Sequence, residues 1–124
     1  MADMAFINDS AFDAALDYIK TNGTQLDICS GEPANYAGIA SVSLGNKTSL
    51  SIGSPANGAS SGRKVAVPAI TDGEVTADGT AAYWAISNGS DTLVATGALS
   101  ASQGVTDGNT FTLASFDITF PDAS

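Results

Sequence analysis

At Asn22-Gly23 the apolar side chains of this chain stop recurring every three or four residues and begin to alternate, so a helix must hand over to strands there. Before that point Phe12, Ala15, Leu16 and Ile19 fall at i, i+3, i+4 and i+7, which predicts a helix over residues 10–21 with these four on one face. Asn8 or Ser10 is suited to cap its first turn, with Asp13 three residues after Ser10 as a short capping box. Lys20 sits in the last turn, and Asn22-Gly23 offers a left-handed stop.

Past Gly23 the alternation and the β-branched residues predict strands. Residues 24–30 set Leu26 and Ile28 on one face and Asp27 and Cys29 on the other. Residues 32–44, with Pro33 and Gly38, read as a meandering segment holding at most short strands, and residues 53–62 as a long exposed loop. Residues 63–70 form the next strand, where Pro68 requires a sheet edge or a bulge because it cannot donate to a ladder. Asp72-Gly73 and Asp78-Gly79 then bracket Val75 as hairpin turns do. In residues 80–87, Ala82, Trp84 and Ile86 share a face opposite Tyr83 and Ala85, so an interior strand is expected with Trp84 at the middle of the core. Asn88-Gly89-Ser90-Asp91 turns the chain, and residues 92–99 return antiparallel with Leu93, Ala95 and Leu99 facing one side. Residues 110–120 change phase: Phe111 and Leu113 are odd, Phe116, Ile118 and Phe120 even. A bulge near Ala114-Ser115 would absorb the extra residue.

Together these elements predict an antiparallel β-sandwich or barrel-like domain with one short N-terminal helix. A chain of 124 residues has room for one such domain: an arm over 1–8, a β-rich body over 24–120 and a tail over 121–124. No run approaches the length of a membrane helix, and no basic residue leads into an apolar stretch as in a secretory leader, so the chain reads as soluble and mature.

Charged residues are only 14% of the chain, so Ser, Thr, Asn, Gly and Ala must cover much of the surface, as suits a subunit flanked by neighbours. Thirteen acids against Lys20, Lys47, Arg63 and Lys64 give a net charge of -9, which opposes contact with a phosphate backbone. The doublet Arg63-Lys64 reads as a solvated strand end.

Chemistry has few candidates. The absence of histidine removes the commonest general base and the Ser-His-Asp and Cys-His arrangements. Asp13 and Asp17 at i, i+4 have the spacing of a solvated helix face. Asp72-Gly73, Asp78-Gly79 and Asp107-Gly108 resemble calcium-loop fragments, but turn geometry alone accounts for Asp-Gly. Cys29 has no cysteine partner within the chain and reads as a buried thiol. The glycines of residues 53–62 lack the Lys-Ser/Thr ending of a phosphate loop. Tyr18, Tyr36, Tyr83 and Trp84 fit core packing better than a carbohydrate platform. No catalytic, cofactor-binding or metal-binding residue is nominated, and the chain is expected not to be an enzyme.

Three blocks of the sequence carry a resemblance to a known group of proteins. The first is Ala14-Ala15-Leu16-Asp17-Tyr18-Ile19 with Asn22-Gly23-Thr24-Gln25-Leu26-Asp27-Ile28-Cys29-Ser30-Gly31-Glu32-Pro33, and the second Ser43-Leu44-Gly45-Asn46-Lys47. The third runs from Thr80-Ala81-Ala82-Tyr83-Trp84-Ala85 through Leu93-Val94-Ala95-Thr96-Gly97-Ala98-Leu99 to Gly108-Asn109-Thr110-Phe111-Thr112-Leu113 and Phe116-Asp117-Ile118. Together these blocks resemble small tailed-bacteriophage virion proteins, and the resemblance implies a virion structural protein, assembled in the bacterial cytoplasm: a capsid decoration (cement) protein that stabilises the shell through contacts with the major capsid protein or copies of itself. The alternative is a tail, neck or fibre component that binds a receptor or carbohydrate, using residues 53–62 and Tyr36. The arm 1–8 and tail 121–124 are the parts expected to reach neighbours, without nucleic acid or membrane as partners.

Overall fold

The computed structural model describes residues 9–57 and 62–120. Helix α1 (Asp9–Asn22) leads into strand β1 (Gln25–Cys29), helix α2 (Tyr36–Val42), and strands β2 (Ser43–Lys47), β3 (Ala56–Asn57), β4 (Arg63–Val67), β5 (Ile70–Val75), β6 (Gly79–Ser87), β7 (Leu93–Val105), β8 (Thr110–Leu113) and β9 (Phe116–Phe120). The fold is mainly β, and every ladder is antiparallel. One sheet has the order β7-β6-β1-β2-β5-β8, the other β3-β4-β9.

The two sheets are continuations of one another. In the smaller sheet Val67 is opposite Phe116, and in the larger Ile70 is opposite Leu113. Pro68-Ala69 and Ala114-Ser115 therefore face each other across one bend, where β4 becomes β5 and β8 becomes β9. Line β2–β3 crosses at the same level: Gly45 pairs with Val75, Ala56 with Lys64, and between them the Gly53 amide donates to the Ala66 carbonyl at 3.0 Å. Pro68 thus marks a sheet change, where its missing N–H breaks no ladder. The phase change in residues 110–120 has the same origin, a passage between sheets rather than the expected bulge.

This bend rolls the sheet over its apolar face. Leu26, Ile28, Val65, Val67, Val75, Ile86 and Phe111 form its core with Leu16 and Ile19 of α1. Each large aliphatic side chain buried there is worth about 1.5–3 kcal/mol. Phe111 lies so close over Gly73 that a Cβ there would stand 2.2 Å from the ring, so Asp72-Gly73 lies within β5 and is no hairpin turn. Trp84 is half-buried against this core rather than at its centre, which Phe111 and Ile86 occupy. Strand β6 is interior, as expected, between β7 and β1.

Helix α1 exceeds its predicted span by one residue at each end and buries Phe12, Leu16 and Ile19, while Ala15 is exposed. Ser10 lies inside the first turn and so is not the cap; Asn8, the arm 1–8 and the tail 121–124 lie outside the described residues. Gly23 ends the helix by another route than a left-handed turn, since it is absent from the residues of positive φ. Its amide donates to the Ile19 carbonyl at 2.7 Å. A Cβ there would meet the Ile19 carbonyl at 2.5 Å, Ile86 Cγ2 at 2.8 Å and Ile52 Cδ1 at 2.9 Å. Arg63 on β4 bonds Asp13 on α1 through Nε at 2.7 Å and Nη2 at 3.1 Å, which fixes the helix across the smaller sheet.

Three further expectations change. Residues 32–44 contain helix α2, capped by the Asn35 side chain, which accepts from the Gly38 amide at 2.8 Å. The segment 53–62 is not wholly loop, because Ala56 and Asn57 pair with β4; residues 58–61 lie outside the described part. Strand β7 runs to Val105 and carries a register shift opposite Ile86/Ser87. One extra residue there sends Leu93 to the face that carries Cys29, while Leu99 joins the main core. The turn at 88–91 is as predicted: Asn88 Oδ1 accepts from the amides of Ser90, Asp91 and Thr92 at 2.9, 2.9 and 3.0 Å.

Replacing Gly23→Ala is expected to lower unfolding free energy by about 1–3 kcal/mol through overpacking. Gly104→Ala, where a Cβ meets nothing within 4 Å, should change it by no more than about 0.5 kcal/mol. Urea titrations of the two variants make the comparison.

Candidate functional site

Two concave regions stand out, on opposite sides of the larger sheet. The first follows the seam where the rolled sheet meets itself. Strands β7 and β8 are the two ends of the larger sheet, β9 is an end of the smaller, and no ladder joins β7 to β8 or β9 among the described residues. Side chains bridge the gap instead: Gln103 Nε2 donates to the Thr112 carbonyl at 3.3 Å, and the rings of Trp84 and Phe116 meet at 4.8 Å with an interplanar angle of 37°. Between these contacts lies an apolar groove of about 370 Å³ lined by Trp84, Gly97, Leu99, Leu113 and Phe116. Gly97 allows the indole its place, since a Cβ there would stand 2.6 Å from Trp84 Cζ2.

The second region lies where α2 covers the outer face of β1 and β2, a pocket of about 280 Å³. Alternation along β1 sends Leu26 and Ile28 inward and Asp27 and Cys29 outward, as predicted. Outward here does not mean exposed: Asp27 is 4% exposed and Cys29 fully buried. Asp27 Oδ1 accepts from Gln25 Nε2 at 3.0 Å and Oδ2 from the Ser43 hydroxyl at 2.7 Å. Tyr36, Val42, Tyr83 and Leu93 pack around Cys29, Ile39 and Ala85 beside it.

The residues weighed in the sequence are mostly dispersed. Asp13 is held by Arg63, and Asp17 is exposed, so the two carboxylates do not act as a pair. Lys64 binds Asp117 at 3.0 Å, so the basic doublet serves two ion pairs rather than a solvated strand end. Asp72 pairs with Lys47 at 3.0 Å, away from the turns at Asp78 and Asp107, which meet through the Asp107 amide donating to Asp78 Oδ1 at 2.8 Å. Among the described residues no three of His, Cys, Asp and Glu come together as a metal-holding group. Tyr18 is 52% exposed, and Tyr36, Tyr83 and Trp84 are half-buried, so the four aromatics form no common platform. Hydrogen bonds from Asn88 and Thr92 lower the Asp91 pKa, which fits a turn built around that side chain.

Sequence reasoning missed the α2 pocket because the helix that walls it was not recognised. Asn35 as a cap followed by Tyr36, Ile39 and Val42 at steps of three was the available signal, weakened by Gly38. Comparison with protein-family models, curated proteins and solved structures finds no match to this chain.

Burial, and secondarily the negative charge of Asp27, push the Cys29 thiol up to about 12 from 9.0. The unfolded chain therefore releases this proton first, so the contribution to stability is intact below pH 9 and is lost as pH rises toward 12. Cys29→Ala should flatten the fall in stability over that window. In the native protein at pH 8, Cys29 should resist iodoacetamide until urea unfolds the chain, as mass spectrometry of the alkylated product would show.

Proposed function

We propose that this protein is a structural subunit of a bacteriophage particle, most simply a capsid decoration protein that reinforces the shell by contacts with the major capsid protein and with its own copies. The observation that carries the reading is the seam. Among the described residues the edge strands β7 and β8–β9 meet without a ladder, beside an apolar groove at Trp84 and Phe116. Exposed edges of this kind are where neighbouring chains add by main-chain pairing and side-chain insertion.

The surface chemistry agrees. Strand β7 is half-buried at most along its length and rich in Ala, Ser, Thr and Gly, which allow close approach of another backbone with little side-chain entropy to lose. The net charge of -9 favours a position against protein over one facing packaged nucleic acid. The resemblance of the helix-to-strand block at 14–33 and the strand blocks at 80–118 to small phage virion proteins supplies the particle to which such a subunit belongs.

Quantitative mass spectrometry of purified particles tests this. Copy numbers on the order of hundreds, in fixed ratio to the major shell protein, are expected for a subunit that follows the symmetry of the lattice. About a dozen copies or fewer would move the protein to the neck or tail, and its absence from particles would end the proposal. Trp84→Phe, which keeps a ring against Phe116, should lower occupancy on the particle while circular dichroism shows the free protein folded, since the indole is a half-buried anchor of the groove.

A further inference from the structure

The pocket under α2 contains a carboxylate, Asp27, that forms no ion pair among the described residues. Asp27 is 4% exposed, and both its oxygens act as acceptors from neutral donors, Gln25 and Ser43. Lys47, Arg63 and Lys64 are bound to Asp72, Asp13 and Asp117. The remaining cation, Lys20, is in the last turn of α1, a helix whose buried Leu16 and Ile19 pack with Leu26 and Ile28 on the face of the sheet opposite Asp27. A carboxylate removed from water without a positive partner is costly, and each of its oxygens retains acceptor capacity beyond the single bond it makes.

The walls of the same pocket are of another kind. Ala37, Ile39 and Ala40 of α2 give an apolar lining, and the half-buried Tyr36 adds an aromatic ring. An apolar shaft with an anionic floor matches a side chain that has a hydrocarbon stem and a cationic tip. The ring favours the same charge.

We infer that this pocket receives a lysine or arginine side chain from a partner protein, with its stem along Ala37, Ile39 and Ala40 and its charged end on Asp27. The assignment of that side chain to a protein partner rests on the structural role proposed above. The pocket itself can be tested on the free protein, so failure here and failure of the particle measurement are separate results. It also places a second contact surface on the face of the sheet away from the seam, so that one copy can engage neighbours on two sides.

The test is an NMR titration of the free, full-length chain with acetyl-Ala-Lys-Ala-amide, with arginine and norleucine versions, and with n-butylammonium. Saturable, salt-sensitive shifts confined to Asp27, Tyr36, Ile39 and Ala40 are expected with the lysine or arginine peptide, and which of the two binds tighter identifies the natural side chain. The norleucine peptide, lacking the charge, should bind at least about tenfold more weakly. Asp27→Asn should abolish the response. Ala40→Leu, which adds bulk to the pocket wall at an exposed helix position, should do the same and guards against a folding defect in the first variant. Equal shifts from norleucine, persistence of the response in both variants, or no saturation by the charged peptides would overturn the inference. n-Butylammonium, which carries the same stem and charge, should compete with the lysine peptide; its binding where neither peptide binds would overturn the assignment to a protein side chain.

Discussion

Six strand lines share one apolar face in this protein, and that face can leave water only if the sheet turns back on itself. The turn is made where Pro68-Ala69 lies opposite Ala114-Ser115, between the pairs Val67–Phe116 and Ile70–Leu113. Both neighbouring strands break at one level, so Ile70–Leu113 continues the register of Val67–Phe116 across the bend, before the ladder shifts between Ile70 and Gly73. Phe111 over Gly73 and the α1 stripe of Leu16 and Ile19 then close the interior. The arrangement depends on coincidence of two chain breaks far apart in sequence. A bulge in one strand alone would have twisted the sheet without folding it over.

The roll has a consequence for function. A closed barrel has no edges, but among the described residues the last side is held by the Trp84–Phe116 contact and the Gln103–Thr112 hydrogen bond instead of a ladder. Among the described residues the seam is thus where edge strands of the two sheets lie side by side without a ladder. On the opposite face, α2 shields the polar alternation of β1 and leaves Asp27 buried but accessible through the pocket. The ion pairs have a different role: Arg63–Asp13 ties α1 to the smaller sheet, and with both side chains partly screened by protein it is a positional link more than a large stabilising one.

Much of the fold was legible because it follows local period. The helix at residues 9–22, the inward set Leu26 and Ile28, the interior strand around Trp84 and the turn at 88–91 all arise from patterns within a dozen residues. The errors share a cause. Asp72-Gly73 has the composition of a turn, but its glycine is required by Phe111 from another strand. Gly23 has the composition of a left-handed cap, but what it avoids is a clash with Ile52 and Ile86. Trp84 is the largest apolar side chain in its strand, yet the groove beside the seam, and not the centre of the core, is where the roll leaves it.

The sequence by itself determined the antiparallel class, the switch from the first helix to strand at Asn22-Gly23 and the low-charge acidic composition, because these depend on residue type and spacing along one segment. Only the tertiary structure decided that a proline and a phase change are two sides of one bend, that among the described residues β7 meets β8–β9 without a ladder, and that Asp27 lies buried beneath a helix. Those facts concern which distant segments share a neighbourhood, and a periodicity that repeats every two residues specifies a face but not the strand that will lie against it.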